Sequence, residues 1–287
     1  MNGELPIVAG KDQCLIPLDI VRDILSMTKR IDMLRVYLYF NARSHGTLHL
    51  NAPVRKQAAH YLGVSERQIR KCMEWLVELD WIRCLHSGSH NYIIRGFRTL
   101  QARRKNPSYQ CVAFNFETGL LQRKREFKGF LCGAHIGGTA RRIKYIRKRK
   151  YTGAGGESPY GGNRLGSRPH LPSASGSHCL LAADYIAKSL ISEYRTGPIA
   201  LSTAAEYRML AAETDYISIR RHRREIKGKE LAAMIFNEGP DFERLIKSRG
   251  RFLLDGIHGV KPINLIFRRM NIKNPERLKR RQARSAA

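Results

Sequence analysis

Apolar positions along the first hundred residues follow two periods, and the switches between them lay out a mixed fold. Leu18 to Met27 carries a short helical pattern. Ile31 to Arg43 carries a stronger one, with Ile31, Leu34, Tyr37 and Leu38 on one face. Thr47-Leu48-His49-Leu50 alternates between Gly46 and Pro53, as a short strand does. Two helices then fit within Val54 to Leu79. After Asp80, the strand-like runs Trp81 to His86 and Asn91 to Phe97 flank Ser87-Gly88-Ser89-His90, a hairpin-turn composition. Trp75, Leu76 and Leu79 have the spacing of a buried helical stripe, which favours core over a stacking platform for bases.

The segment VRKQAAHYLGVSERQIRKCMEWLVEL carries the sharpest signal. Ala59, Gly63, Val64, Ile69 and Cys72 are small or apolar where two crossing helices must touch. Gly63 suits the left-handed backbone that ends the first helix. Ser65 is a good N-cap for the second, and Gln68 completes a Ser-x-x-Gln capping box. Arg67, Gln68, Arg70 and Lys71 are then expected on the outward side, as base readers in a DNA major groove. Arg55, Lys56 and Ser65 are placed for backbone contact, and Arg83, His90, Arg95 and Arg98 lie on or beside the hairpin.

The order helix, strand, helix, helix, hairpin is that of a winged helix. Residues 31 to 98 resemble the DNA-binding winged helices of bacterial regulators, plasmid replication initiators and phage replication-organising proteins. The resemblance lies in the motif and covers about a quarter of the chain. It implies double-stranded DNA as partner, dimerisation as winged helices often show, and contact with replication or transcription machinery. No heptad seam commits the chain to a homodimer.

Beyond residue 100 the pattern loosens. Tyr109 to Phe116 reads as a strand, and RRIKYIRKRK supplies Arg141, Arg142, Lys144, Arg147, Lys148, Arg149 and Lys150 with no acid and no clean helical stripe. Residues 101–152 are therefore taken as a basic connector that tracks phosphates and orders on its partner. Gly, Ser, Pro and Asn dominate 153–177, the composition of a flexible linker. Residues 178–287 read as a helical domain, with helices from Leu180 to Tyr194, from a Ser202 cap to Ala212, from Tyr216 to Ile226, and over Leu231–Phe236 and Phe242–Ile246. Ile263 to Ile266 reads as a short strand and Arg277 to Arg284 as a basic tail. Tyr216–Ile226 is the recognition piece of a second helix-turn-helix, bearing Arg220, Arg221, Arg223 and Arg224. Glu213 stands there in place of the glycine, and His222 in place of an apolar residue. The fold class expected is α+β, mainly helical, with the winged helix-turn-helix in residues 1–100.

Composition narrows the function. A chain of 287 residues that is 43% hydrophobic can build roughly two packed domains. Its net charge of +28, from 52 Lys+Arg against 24 Asp+Glu, points to a polyanionic partner and is spread along the whole length. No apolar run is long enough for a membrane span, no secretion signal opens the chain, and the six scattered cysteines fit a reducing cytoplasm, with nucleoid association. Cys132, His135, His178 and Cys179 have poor zinc spacing, so no metal or cofactor is expected. Two other classes stay open. A nicking enzyme or recombinase would use one of 12 tyrosines, but the chain has no Walker loop and no His-hydrophobe-His pair. A bulk RNA-binding or packaging protein fits the charge, yet has no need of a capped, correctly spaced helix pair.

Overall fold

The computed structural model describes residues 12–27, 30–86, 90–104, 107–152, 179–181, 183–192, 194–195, 197–226, 245–248 and 251–270; along 144–152, 180, 221–226, 245–248 and 251–258 the description is of the backbone alone. The fold is α+β. Strand β1 (Gln13–Pro17) runs directly into α1 (Leu18–Ser26), whose Ile20, Val21, Ile24 and Leu25 are fully buried. α2 (Ile31–Arg43) is buried nearly all round, so the rest of the first unit wraps it. Around it come β2 (Thr47–His49), α3 (Ala52–Leu62), α4 (Glu66–Glu78), β3 (Ile82–Cys84) and β4 (Asn91–Ile94). The three strands pair antiparallel in the order β2-β4-β3, with Leu48 opposite Tyr92 and Arg83 opposite Ile93.

α5 (Phe97–Ala102), β5 (Gln110–Asn115), a 3-10 turn at Phe116–Thr118 and the long α6 (Lys124–Thr152) follow. The C-terminal part contains β6 (Cys179–Leu180), α7 (Ala183–Ser189), α8 (Leu201–Glu213), β7 (Ile217–Ile226), β8 (Leu245–Ser248), β9 (Arg251–Pro262) and β10 (Phe267–Arg269). Among the described residues the order helix, strand, helix, helix, strand, strand occurs first as α2-β2-α3-α4-β3-β4 and again as α6-β6-α7-α8-β7-β9, the second time with an extra strand, β8, between the last two. The sheets agree as well. The second runs β6-β9-β7, so in both units the last strand is central and the first is outer; β8 also pairs with β9. A third antiparallel sheet, β1-β5-β10, ties the chain's beginning, middle and end together.

One buried cation joins these parts. Arg35 on α2 is 1% exposed, and its guanidinium donates to Asp32 Oδ1 at 2.7 Å, to the Leu62 carbonyl at 2.6 Å and to the Leu121 carbonyl at 2.6 and 2.8 Å. Leu62 ends α3, where carbonyls have no partner within the helix, so Arg35 satisfies one of them and fixes α3 against α2. Asp32 also accepts from Lys124 Nζ at 2.6 Å, at the start of α6. A second network holds α1. Asp19 accepts from Gln101 Nε2 at 2.6 Å and from the Ser108 backbone N–H at 3.1 Å, while Arg104 pairs with Asp23. Burial pushes the Asp23 carboxyl up to about 6, although Arg104 and then Arg22 pull it down.

α6 packs by backbone proximity. Gly129, Gly133 and Gly137 recur every fourth residue, hence on one face. A Cβ on Gly129 would overlap Thr214, one on Gly133 the Cβ of Tyr216, and one on Gly137 would lie 2.8 Å from the Cβ of Pro262. Gly138, on a neighbouring face, meets only the far end of the Leu18 side chain.

These facts correct the reading of the second half. Residues 101–152 are not a connector. α6 spans 29 residues, and Phe127, Leu131, Cys132, Ala134, Ile136 and Ala140 are at most 1% exposed. Residues Arg141 to Lys150 continue that helix. Residues 178–287 are not a helical domain either. Tyr216–Ile226 forms strand β7 from Ile217, where Ile217 and Ile219 face inward beside exposed Arg220, and it pairs with β9 along its length. This removes the second helix-turn-helix as it was placed. The helix expected from Leu180 shrinks to α7. α8 starts at Leu201 without a side-chain cap, Leu245 and Ile246 lie on β8, and the strand expected at Ile263–Ile266 begins instead at Phe267. The expected linker 153–177, the Leu231–Phe236 helix and the Arg277–Arg284 tail lie outside the described residues.

Replacing Arg35 with Met takes one of two donors from the Asp32 carboxylate and leaves the Leu62, Leu121 and Gln122 carbonyls without theirs. Urea unfolding should show a loss of roughly 3–5 kcal/mol, and an unchanged midpoint would contradict the bridging role. Gly133→Ala should destabilise by about 1–3 kcal/mol because a Cβ facing a Cβ cannot swing aside. Gly138→Ala, facing a flexible Leu18 tip, should cost far less or stabilise, and equal losses at both positions would refute the close-approach account.

Candidate nucleic-acid interface

The α3–α4 corner is built from local signals that all agree. Asn51 caps α3, its Oδ1 accepting from the Val54 backbone N–H at 3.0 Å. Gly63 stops that helix in the left-handed region at φ 62°. Ser65 Oγ then accepts from the Gln68 backbone N–H at 3.1 Å and starts α4. Ile69, Cys72, Met73 and Leu76 form the buried face, and burial pushes the Cys72 thiol up to about 12, which keeps it protonated. Opposite that face, Arg67, Arg70 and Lys71 are exposed.

The exposed face of α4 changes sign along its length. Its first two turns carry Arg67, Arg70 and Lys71, and its last two carry exposed Glu74 and Glu78. Only the N-terminal half therefore attracts an anion, and the positive end of the helix dipole adds to it. Trp75 is half-buried between two cations, with the Arg30 guanidinium carbon 5.0 Å and the Lys71 Nζ 5.1 Å from its ring centroid. Lys71 is thereby steered by an aromatic face. A groove of about 840 Å³ separates α4 from the β3–β4 pair, with Arg70, Glu74 and Glu78 on one wall and His90 and Tyr92 on the other. The tip at 87–89 lies outside the described residues.

Several expected contacts are placed otherwise. Gln68 is half-buried, and its side-chain amide donates to Cys72 Sγ at 3.7 Å instead of closing the capping box, so it is not free on the outward face. Arg55 is held inside the corner, donating to the Leu50 carbonyl at 3.2 Å with Nε 3.8 Å from Glu66. Arg95 is only 11% exposed at its side chain and pairs with Asp80 Oδ1 at 2.8 Å, with Arg103 on the other carboxylate oxygen. It staples the end of α4 to β4 and is not a free wing cation. Lys56, Ser65, Arg83, His90 and Arg98 are exposed, as are Arg141, Arg142 and Arg220. Lys144, Arg147, Lys148, Arg149 and Lys150 on α6, and Arg221, Arg223 and Arg224 on β7, are described by backbone only. Sequence reasoning passed over Arg22 and Lys188, and the pair Arg268-Arg269, because no motif marks them.

His135 on α6 is 7% exposed, and its Nε2 lies 2.8 Å from Ser189 Oγ. Since that hydroxyl donates to the Ile186 carbonyl at 2.8 Å, it accepts from the histidine, which fixes a neutral Nε2–H tautomer. Burial, with Arg22 adding to it, pushes His135 down to about 4. Among the described residues no group of three or more His, Cys, Asp or Glu is placed to hold a metal, and no helix is long and apolar enough to cross a membrane.

A histidine lowered on folding stabilises the protein above its unfolded value near 6.5, and that stability is lost as pH falls through about 4. Asp23 acts in the opposite sense, since its raised carboxyl favours the fold as pH falls through about 6. Comparing variants isolates the histidine. The stability advantage of the parent over His135→Gln should shrink by roughly 3 kcal/mol between pH 7 and pH 4, and an advantage constant with pH would refute a buried neutral ring. Comparison with protein-family models, curated proteins and solved structures finds no match to this chain.

Proposed function

We propose that the protein is a sequence-specific double-stranded DNA-binding protein whose first unit acts as a winged helix. The N-terminal half of α4 enters the major groove, and the β3–β4 hairpin lies beside it over the backbone. The observation that carries this is the arrangement of Arg67, Arg70 and Lys71, exposed on the first turns of a capped helix whose far side is buried. Docking by the first turns is how recognition helices reach base edges, and Arg or Lys there pairs with guanine. Glu74 and Glu78 keep the C-terminal half of α4 away from phosphates. Lys56, Arg83 and Arg98 remain as backbone contacts. The biological setting that fits best is replication initiation or transcription control on a plasmid, phage or other mobile element.

Selection of preferred duplexes from a random pool by the full-length protein is the direct test. A recovered consensus is expected, whereas equal recovery of all sequences leaves only bulk charge binding. On the selected site, Arg67→Ala or Arg70→Ala should each cost roughly 1–3 kcal/mol, with little change on random duplex. Gln68→Ala should cost much less on that site, because its amide is engaged by Cys72. A Gln68 effect equal to that of Arg70 would overturn this division of roles.

A further inference from the structure

A second surface, remote in sequence from α4, has its own chemistry. An open cleft of about 1130 Å³ lies among α1, the loop before β5, α6 and α7. Its cations are Arg22, Arg142 and Lys188, its aromatic rings Tyr109 and Tyr185, and buried His135 lies within its lining. Arg22 Nε is buried with no hydrogen-bond partner, its nearest carboxylate oxygen being Asp23 Oδ1 at 3.6 Å. Arg142 is exposed and makes no ion pair among the described residues. One acid, Asp19, lines the cleft and another, Asp184, lies outside the lining beside Lys188. Asp19 is 4% exposed and committed to Gln101, Ser108 and Arg104, and exposed Asp184 lies 3.7 Å from Lys188. The balance in the cleft is positive, and at least one guanidinium donor there is unused.

The positive field continues past the rim. Arg269 on β10 lies over the Tyr109 ring at 5.8 Å, and Arg141 over Phe267 at 4.9 Å. Beyond Arg142, α6 carries Lys144, Arg147, Lys148, Arg149 and Lys150. That is about 12 Å of helix at 1.5 Å per residue, over which Arg149, seven residues on, returns to the face of Arg142. A single phosphate or a mononucleotide would have no use for this extension. A flat bilayer would not reach cations set in a concavity. Tyr185 is 47% exposed at the cleft, an unusual position for a ring that no partner covers.

From this juxtaposition we propose that the cleft binds the phosphodiester backbone of a nucleic acid, as a second site independent of α4. Arg22, Arg142 and Lys188 hold phosphates, and Tyr185 stacks on a base where the strand is single. The helix α8, which occupies in the second unit the place of α4 in the first, does not compete for this role. Its exposed residues include Leu201, Ser202 and Met209, and its Glu206 and Glu213 pair with Lys128 and Arg125 at 2.7 Å.

The test uses full-length protein in which Arg67, Arg70 and Lys71 are all changed to Ala, so that binding through α4 is removed. Anisotropy is read with a labelled oligothymidylate 20-mer and a labelled random 20-bp duplex. Arg142→Glu with Lys188→Glu should weaken binding of at least one probe about tenfold or more beyond the control pair Arg123→Glu with Arg125→Glu. The control makes the same charge change at the start of α6, about 25 Å from Arg142. Equal losses in both pairs would overturn the proposal, as would binding to vesicles of anionic phospholipid that the oligonucleotides do not displace. Tyr185→Ala decides the source. A loss confined to the 20-mer assigns a single strand, and no difference between probes assigns a duplex backbone. Photocrosslinking of bromodeoxyuridine oligonucleotide to the parent protein should label peptides containing Tyr109 or Tyr185, and labelling only of α4 peptides would exclude the cleft. Retention of specific duplex binding after the α4 changes would sink the reading of α4 and leave the cleft measurements intact.

Discussion

The buried Arg35 guanidinium is the constraint on which the rest of the first unit depends. It is one side chain on the central helix α2, yet it holds the last carbonyl of α3, two carbonyls before α6 and the Asp32 carboxylate. A charge this deep is tolerated only because nearly all its donors are used, and a lysine could not fill the same fork. The turn between α3 and α4 begins one residue after Leu62. The direction in which α4 presents Arg67, Arg70 and Lys71 is therefore fixed from α2 and from the start of α6 together. The candidate interface is rigid because its support comes from outside the motif.

The two units share an order of elements and a sheet pattern but not a surface. In the first, the helix after the tight corner bears cations on its open face. In the second, α8 bears apolar and acidic groups, and the acids are tied to Lys128 and Arg125. Positive charge in that half has moved to α6, α7 and β10, around the cleft. A similar order of elements within one chain thus carries charge at different addresses, which is why architecture alone does not assign function.

Much of the first unit was legible because each element there has a local cause. Asn51, Gly63 and Ser65 mark helix ends through their own backbone preferences, and the buried stripe of α4 repeats at helical spacing. The second half was not legible, for two physical reasons. α6 is enclosed along Phe127 to Ala140, so it shows no polar face to reveal its period, and its four glycines imitate a loop when they in fact permit close contact. The run from Ile217 to Ile226 is dense in arginine and imitates a basic helix, whereas its β-branched residues lie opposite β9. At the interface, the types of residue were readable but their engagement was not. Arg55, Gln68 and Arg95 look free in the sequence, and only their partners Glu66, Cys72 and Asp80 show that they are spent on structure.

The glycine face of α6 has a mechanical corollary. Where a helix backbone rests directly on Tyr216 and Pro262, no long side chain intervenes that could repack and allow sliding. The units themselves are tied by Arg35 to the Leu121 carbonyl, by Asp32 to Lys124 and by the β1-β5-β10 sheet, and so behave as jaws of a fixed caliper. Nucleic acid held at both would be measured by that gap, so lengthening the intervening DNA by half a helical turn, about 5 bp, would put one contact on the wrong side of the duplex.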